Sequence, residues 1–114
     1  MTEPSLSTLA NGVCATAQLE PAAMAWAAQN GFKSVVNNRP DFEGGPTQPT
    51  SAAIEAAARA AGLEYAWLPV HPSMHSPDDI AKMAELMAAL PKPVLLFCRS
   101  GARSTRLYQS AMAA

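Results

Sequence analysis

The most informative stretch of this chain reads Val94-Leu95-Leu96-Phe97-Cys98-Arg99-Ser100-Gly101-Ala102-Arg103. Its four leading residues form an uninterrupted apolar run, which is typical of a central strand buried on both faces of a sheet. After Ala102, a helical pattern continues to the C-terminus. A strand, a tight turn and a helix start, in that order, aim several backbone N–H groups and the positive end of the helix dipole at one small volume. The stretch therefore predicts an anion site in residues 98–103, which we name the anion loop.

The side chains of the anion loop suit a reactive thiolate. Gly101 lets the backbone curl around a ligand, and Arg103 offers a planar fork of donors that matches phosphate or sulfate oxygens. Ser104 can hydrogen-bond the sulfur of Cys98. Because amides, dipole and guanidinium all favour the charged form, we expect the pKa of Cys98 to lie well below that of a free cysteine. The predicted nucleophile is Cys98, with Arg103 as a donor to the oxygens of a bound anion, and the predicted anion-binding residues are Arg99, Ser100, Gly101, Ala102, Ser104 and Arg39.

A small apolar residue that ends a core strand is the alternative interpretation of Cys98. Cys14 fits that description, since nothing basic or glycine-rich surrounds it. Around Cys98, in contrast, two arginines, a serine and a glycine follow within five positions. That crowding at the end of an apolar run favours the reactive thiol.

Arg39 follows a second apolar run, Val35-Val36, at the end of a predicted strand. We expect it at the same sheet edge as the anion loop, where ligands of parallel α/β folds bind. It can assist anion binding there. A surface ion pair with Asp41 or Glu43 is an equally good interpretation.

Strand-like and helix-like patterns alternate along the rest of the chain, which is typical of a mainly parallel sheet covered by helices. We therefore expect a small α/β fold with a mainly parallel central sheet flanked by helices. The predicted strands are residues 13–19, 33–37, 65–70 and 94–97, and the predicted helices start near Pro21, at Thr50 or Ser51, after a cap at Ser76, and after Gly101 and Ala102.

Composition narrows the class of protein. A chain of 114 residues with 49% hydrophobic content is long enough for one core and too short for two, so we expect a single domain over residues 1–114. Lys and Arg total 8 against 9 for Asp and Glu, so no overall field recruits nucleic acid or an anionic membrane surface. Free cysteines are typical of the cytosol, and neither a secretion signal nor a membrane span is recognisable. We expect a cytoplasmic protein.

The sequence predicts no metal site and no other cofactor. Two cysteines cannot build a structural zinc site by themselves. His71 and His75 are four residues apart, but Pro72 and Pro77 prevent a regular helix through them.

Four segments carry a family resemblance over nearly the whole chain. They are Val35-Val36-Asn37-Asn38-Arg39-Pro40-Asp41, the helix 53–61 with Gly62-Leu63-Glu64-Tyr65, Pro69-Val70, and Phe97-Cys98-Arg99-Ser100-Gly101-Ala102-Arg103-Ser104. They resemble the phosphatase-like domain of beta-lactamase hydrolase-like proteins. The resemblance implies a fold similar to that of dual-specificity and tyrosine phosphatases, with Cys98 as the nucleophile and Arg103 as the oxyanion ligand.

One departure from this resemblance concerns the reaction. Only four residues lie between Cys98 and Arg103, as in many rhodanese-like sulfurtransferases, whereas tyrosine phosphatases have one residue more. A shorter loop forms a tighter ring, which suits a persulfide sulfur or a small anion. Three functions stay open: a phosphatase with a thiophosphate intermediate, a sulfurtransferase with a persulfide on Cys98, and a non-catalytic anion-binding module. Both enzymes would act on a small anionic substrate, and nothing in the sequence indicates the oligomeric state.

A phosphatase also benefits from a general acid, usually an aspartate on a separate loop. The loop after Val70 has the right topological position and offers His71, His75, Asp78 and Asp79. The two aspartates are better explained as charges at the start of a helix. His75 is the preferred candidate, because the unperturbed pKa of histidine suits proton transfer near neutrality.

Overall fold

The computed structural model describes residues 4–113. They form five strands and four helices. The strands are β1 (Ser7–Ala10), β2 (Val13–Thr16), β3 (Ser34–Asn37), β4 (Glu64–Trp67) and β5 (Val94–Phe97). The helices are α1 (Ala23–Gln29), α2 (Ser51–Ala60), α3 (Pro77–Ala89) and α4 (Ala102–Ala113).

The sheet has the strand order β1-β2-β5-β3-β4. β5 lies in the middle and pairs in parallel with β2 on one side and with β3 on the other. β4 is parallel to β3, whereas β1 runs antiparallel to β2. The predicted α/β class with a mainly parallel central sheet is confirmed.

Side chains along β5 divide the core into two layers, since successive residues of a strand point to opposite faces. Leu95 and Phe97 pack with α1 and α2, whereas Val94 and Leu96 pack with α3 and α4. All four are fully buried, as the apolar run predicts. The buried helix residues include Met24, Ala27, Ile54 and Ala58 on the first face and Met83, Met87, Leu107 and Ala111 on the second.

The helices around the sheet begin where the sequence predicts caps. The Thr50 side chain accepts a hydrogen bond from the N–H of Ala53, at 3.2 Å, and starts α2. Ser76 and Asp79 form a reciprocal capping box at the start of α3, with Pro77 in the first turn. Asp79 therefore has the helix-start role expected from the sequence. No helix within residues 4–113 is long and apolar enough to span a membrane.

The sequence patterns do not predict β1. It has only four residues, lies at the edge of the sheet and is half exposed, so it lacks the apolar run that marks a buried strand. A tight turn at Gly12, where φ is +84°, joins it to β2.

Two of the predicted strands are shorter in the structure. β2 ends before Leu19 and β4 ends before Val70, because the chain leaves the sheet at these points to contact other loops. The N–H of Gln18 donates to the carbonyl oxygen of Arg99 at 3.3 Å, and that of Val70 donates to Asn38 at 3.2 Å. These bonds tie the strand ends around the anion loop.

Candidate active site

The carboxyl ends of the four parallel strands meet at one edge of the sheet, as in other parallel α/β folds with ligand sites. β5 leads directly into the anion loop, and α4 begins within that loop at Ala102. The predicted order of strand, turn and helix start is therefore present. Orphan N–H groups of the first helical turn lie next to the thiol of Cys98.

Cys98 is buried, with 1% of its surface exposed. Burial alone would raise the pKa of its thiol, but hydrogen bonds from the N–H groups of Ser104, Gly101 and Ser100 and from the Ser104 side chain outweigh burial and lower the pKa. The N–H of Gly101 lies 3.1 Å from the sulfur. The backbone of the anion loop therefore favours the thiolate form of Cys98, whose sulfur accepts these hydrogen bonds.

Gly101 is required by the backbone of the anion loop. Its φ is +94°, in the left-handed region that side chains disfavour. A Cβ atom added there would also lie 3.3 Å from the backbone of Thr16. The loop is thus packed directly against the end of β2, which leaves no room for a side chain at this position.

Asn38, the residue after β3, contacts Ser104, the residue whose hydroxyl and N–H lie beside the thiol. Its Oδ1 accepts a hydrogen bond from the Ser104 hydroxyl at 2.8 Å, and its Nδ2 donates to the carbonyl oxygen of Leu68 at 3.0 Å. A hydroxyl has one proton, so Ser104 donates either to Asn38 or to the Cys98 sulfur at any moment. The amide of Asn38 therefore keeps the donor close to the sulfur.

We expect the thiolate of Cys98 to form at lower pH than an ordinary cysteine thiolate. In a Cys14→Ser variant, which leaves Cys98 as the reporter, the ultraviolet absorbance of the thiolate should rise with a midpoint below about 8.5, the value for a free thiol. Ser104→Ala should move the midpoint upward, because one donor to the sulfur is lost. Ser110→Ala on the exposed side of α4 is the matched control and should leave it unchanged. A midpoint at or above the free-thiol value would contradict the assignment.

Arg103 reaches from the first turn of α4 to the loop that follows β3. Its Nη1 and Nη2 donate to the two carboxylate oxygens of Glu43 at 3.0 and 2.9 Å, and Nη1 also donates to the carbonyl oxygen of Val70 at 3.2 Å. The side chain is 6% exposed. Its Nε is buried and has no hydrogen-bond partner among the described residues. Two of the five guanidinium donors, the Nε–H and the second N–H of Nη2, therefore have no partner among the described residues and are available to a ligand.

Arg39 lies beside the same carboxylate. Its Nε donates to Oε1 of Glu43 at 2.9 Å, and its Nη1 donates to Oε1 of Gln18 at 3.1 Å. The ion pair with Glu43, one of the two interpretations given above, is present. It is not a surface pair, because the Arg39 side chain is only 9% exposed.

Glu43 has more contacts in the site than the sequence predicts, since the sequence indicates only an ion pair with Arg39. It accepts hydrogen bonds from two arginines, Arg39 in the same loop and Arg103 in the first turn of α4. The bond from Arg103 is the largest cause that lowers its pKa, burial opposes it, and Arg39 lowers the pKa further. The only sequence signal is an acid four residues after Arg39, which predicts a local pair and gives no indication of Arg103.

His75 lies in the loop between β4 and α3, as predicted. Its Nε2 is buried and lacks a partner within the described part of the chain. Burial is the main cause that lowers the pKa of its imidazole. The charges of Arg106 and Arg103 lower this pKa further, whereas the charge of Asp79 raises it. His75 is therefore close enough to the guanidinium groups of Arg103 and Arg106 to be affected by their charges, and its neutral form is favoured. Arg106 also holds this loop, because its Nη2 donates to the carbonyl oxygen of Pro72 at 2.9 Å.

The remaining predicted ligands lie on the outer side of the anion loop. Arg99, Ser100 and Ala102 are exposed, and the Ser100 hydroxyl accepts a 3.4 Å hydrogen bond from the N–H of Ala102. This side borders a groove of about 1070 Å³ between α1, the segment after β2 and the start of α4. Gly101 lines it but neither Cys98 nor Arg103 does, so the groove lies beside the anion loop. Across residues 4–113, no three His, Cys, Asp or Glu side chains are grouped to hold a metal ion.

Comparison with protein families gives a match over residues 5–114 to the family described as "Beta-lactamase hydrolase-like protein, phosphatase-like domain". A curated relative, the beta-lactamase hydrolase-like protein of Xylella fastidiosa (strain Temecula1), is 41% identical over 81 residues. That alignment covers 71% of this chain and 19% of the relative. The chain thus spans about a fifth of the length of this relative.

Comparison with solved structures gives the same result for the fold. A proposed phosphatase of Neisseria meningitidis z2491 has a TM-score of 0.81 and 30% identity, and the match covers 89% of this chain and 71% of that one. P. aeruginosa TpbA in complex with pTyr has a TM-score of 0.61 and 17% identity over 84% of this chain and 54% of its own, which shows the fold alone. The fold is protein tyrosine phosphatase-like, as the resemblance implies. The match over residues 5–114 shows that the chain belongs to the phosphatase-like domain family of beta-lactamase hydrolase-like proteins.

Proposed function

We propose that this chain is a cysteine-dependent phosphatase that hydrolyses small phosphate esters. The family and the fold support a phosphatase-type function. The observation that carries the role of Cys98 is the position of its sulfur, 3.1 Å from the N–H of Gly101 at the start of α4, where loop N–H groups and Ser104 lower the pKa of the thiol despite burial. TpbA, which has a similar fold, binds pTyr, and a small anionic ester of this kind is the substrate that we propose.

The reaction proceeds in two displacements. The Cys98 thiolate attacks phosphorus, the bond from phosphorus to the ester oxygen breaks, and the alcohol or phenol leaves with a proton. A water molecule then attacks the cysteinyl phosphate, gives up a proton, and releases inorganic phosphate and the thiolate. The amides of the anion loop stabilise the charge on the phosphoryl oxygens in both transition states.

Arg103 supplies the charged donor for these oxygens. Glu43 and Val70 accept hydrogen bonds from three of its five N–H groups, and the buried Nε–H has no partner among the described residues. A buried guanidinium N–H without a partner has a desolvation cost that an anion oxygen would remove. This supports Arg103 as the oxyanion ligand.

His75 is our candidate for proton transfer. A neutral imidazole accepts a proton, so in the free protein His75 is poised to take one from the attacking water. A bound phosphoryl dianion would offset the charges of Arg103 and Arg106 that lower the pKa of His75. The imidazole can then also protonate the leaving oxygen.

A sulfurtransferase is the second candidate, because four residues separate Cys98 from Arg103. In that reaction the thiolate attacks the outer sulfur of thiosulfate, the sulfur–sulfur bond breaks, and sulfite leaves. The resulting persulfide passes its outer sulfur to an acceptor such as cyanide, which gives thiocyanate and regenerates the thiolate.

Two parallel assays separate these functions. We expect the purified protein to hydrolyse para-nitrophenyl phosphate and not to convert thiosulfate and cyanide to thiocyanate. Cys14→Ser is the matched control for the Cys98→Ser variant, and it should retain the phosphatase activity. Turnover of thiosulfate alone would overturn the phosphatase in favour of the sulfurtransferase. Failure of both assays, with a low-pKa thiolate still detected, would support an anion-binding module.

A further inference from the structure

The carboxylate of Glu43 lies between two guanidinium groups that come from different parts of the chain. Arg39 is four residues before it and Arg103 is 60 residues after it. The three side chains are 9%, 22% and 6% exposed, in the order Arg39, Glu43, Arg103. They form a cluster with a net charge of one, in which the two guanidinium groups are buried and the carboxylate is partly exposed.

The bond between Arg103 and Glu43 fixes the direction of the catalytic guanidinium. Guanidinium is planar, and two parallel N–H···O bonds to a carboxylate leave it little freedom to rotate. When Nη1 and Nη2 are held at 3.0 and 2.9 Å, the directions of the Nε–H and of the second N–H of Nη2 are fixed as well. These donors are therefore oriented before the ligand arrives, which reduces the entropy lost on binding.

Arg39 fixes Glu43 in turn. It donates to Oε1 of Glu43 through Nε and to Gln18 through Nη1. Its Nη2 lies so close to the backbone of Gly44 that a Cβ atom there would be 2.7 Å from it. The indole N–H of Trp67 donates to the carbonyl oxygen of Arg39 at 2.9 Å and holds the backbone. Arg39 is thus enclosed on several sides and has little freedom to reach an anion directly.

We propose that Glu43 and Arg39 are positioning residues: Arg39 holds Glu43, and Glu43 orients Arg103 so that its Nε binds the substrate anion. This inference rests on the proposed phosphatase function for its kinetic consequence, but its binding consequence holds for any anion in the loop. The competing view is that Glu43 occupies Arg103 as an internal anion and weakens ligand binding. The first view predicts weaker phosphate binding when Glu43 is replaced, and the second predicts tighter binding.

The test measures binding of inorganic phosphate by calorimetry, together with turnover of para-nitrophenyl phosphate. Glu43→Gln should weaken phosphate binding about tenfold and lower kcat by a similar factor, because one charge-assisted clamp on Arg103 is lost. Arg39→Met should have a smaller effect of the same sign, and Arg39→Lys should restore part of it, since a lysine can still donate to Glu43. The midpoint of the Cys98 thiolate titration should stay unchanged in all three, because neither residue donates to the sulfur.

Glu55→Gln is the matched control. Glu55 also pairs with an arginine four residues away, at 3.0 Å, but both side chains are exposed. The Glu55→Gln substitution should alter neither phosphate binding nor turnover of the ester. A double variant adds a second check: in an Arg103→Lys background, Glu43→Gln should have little further effect on phosphate binding, since the two act as one unit.

The results also distinguish this inference from the proposed function. Unchanged or tighter phosphate binding by folded Glu43→Gln protein would overturn the positioning role, even if the melting temperature falls. A wild-type protein that binds phosphate but does not hydrolyse the ester would instead contradict the phosphatase assignment, while the binding arm would still decide the role of Glu43.

Discussion

Cys98→Ser is expected to reduce hydrolysis of para-nitrophenyl phosphate by at least about a thousandfold. A serine hydroxyl in the same ring of amides stays protonated at neutral pH, so the protein loses its nucleophile while it keeps its anion site. The measurement is steady-state turnover at saturating substrate. Phosphate binding measured by calorimetry should persist, because the N–H groups of the loop are retained.

Cys14→Ser is the control for this substitution. Cys14 is half-buried and its sulfur lies 3.9 Å from the Thr8 hydroxyl, away from the anion loop. Residual activity of Cys98→Ser above a hundredth of the wild-type rate would show that the thiol is not the nucleophile. The same loss in Cys14→Ser would point to a general effect of cysteine removal on the fold.

Arg103→Lys is expected to lower kcat/KM for the same ester about a hundredfold. Lysine keeps the positive charge and can still pair with Glu43, but it has no planar fork. It therefore cannot hold the carboxylate with two donors and offer a third to the phosphoryl oxygens. The comparison of kcat with KM matters here, since a donor that acts mainly in the transition state affects kcat more than KM.

Arg59→Lys provides the matched substitution on the surface. Arg59 pairs with Glu55 and is 54% exposed, so the exchange should leave kinetics within a factor of about two. Wild-type kinetics in Arg103→Lys would mean that charge alone, without the geometry of the guanidinium, supports the reaction. That outcome would remove Arg103 from the role of oxyanion ligand.

The sequence predicts those parts of the site that are contiguous in the chain. The strand before Cys98, the glycine at the turn and the helix start after it belong to one segment, so their patterns report on one another. The caps at Thr50 and Ser76 follow from equally local rules. The same holds for β5, whose apolar run indicates burial on both faces.

The parts that the sequence does not predict depend on contacts between distant segments. Asn38 meets Ser104 across 66 residues, and Glu43 meets Arg103 across 60. Neither asparagine nor glutamate in a polar loop differs by pattern from any other surface residue. The strand β1 is missed for a different reason, since an exposed edge strand of four residues carries too few apolar positions to be recognised.

The strand order has a consequence for the biogenesis of the nucleophile. The β5 strand lies in the sheet between β2 and β3, although it is synthesised after the other four described strands. Until that insertion occurs, the thiol has no amide neighbours from α4 and behaves chemically like any cysteine in a nascent polypeptide. Thiolate absorbance in a denaturant titration should therefore disappear together with the sheet, which makes Cys98 an intrinsic probe of whether the last strand has been inserted.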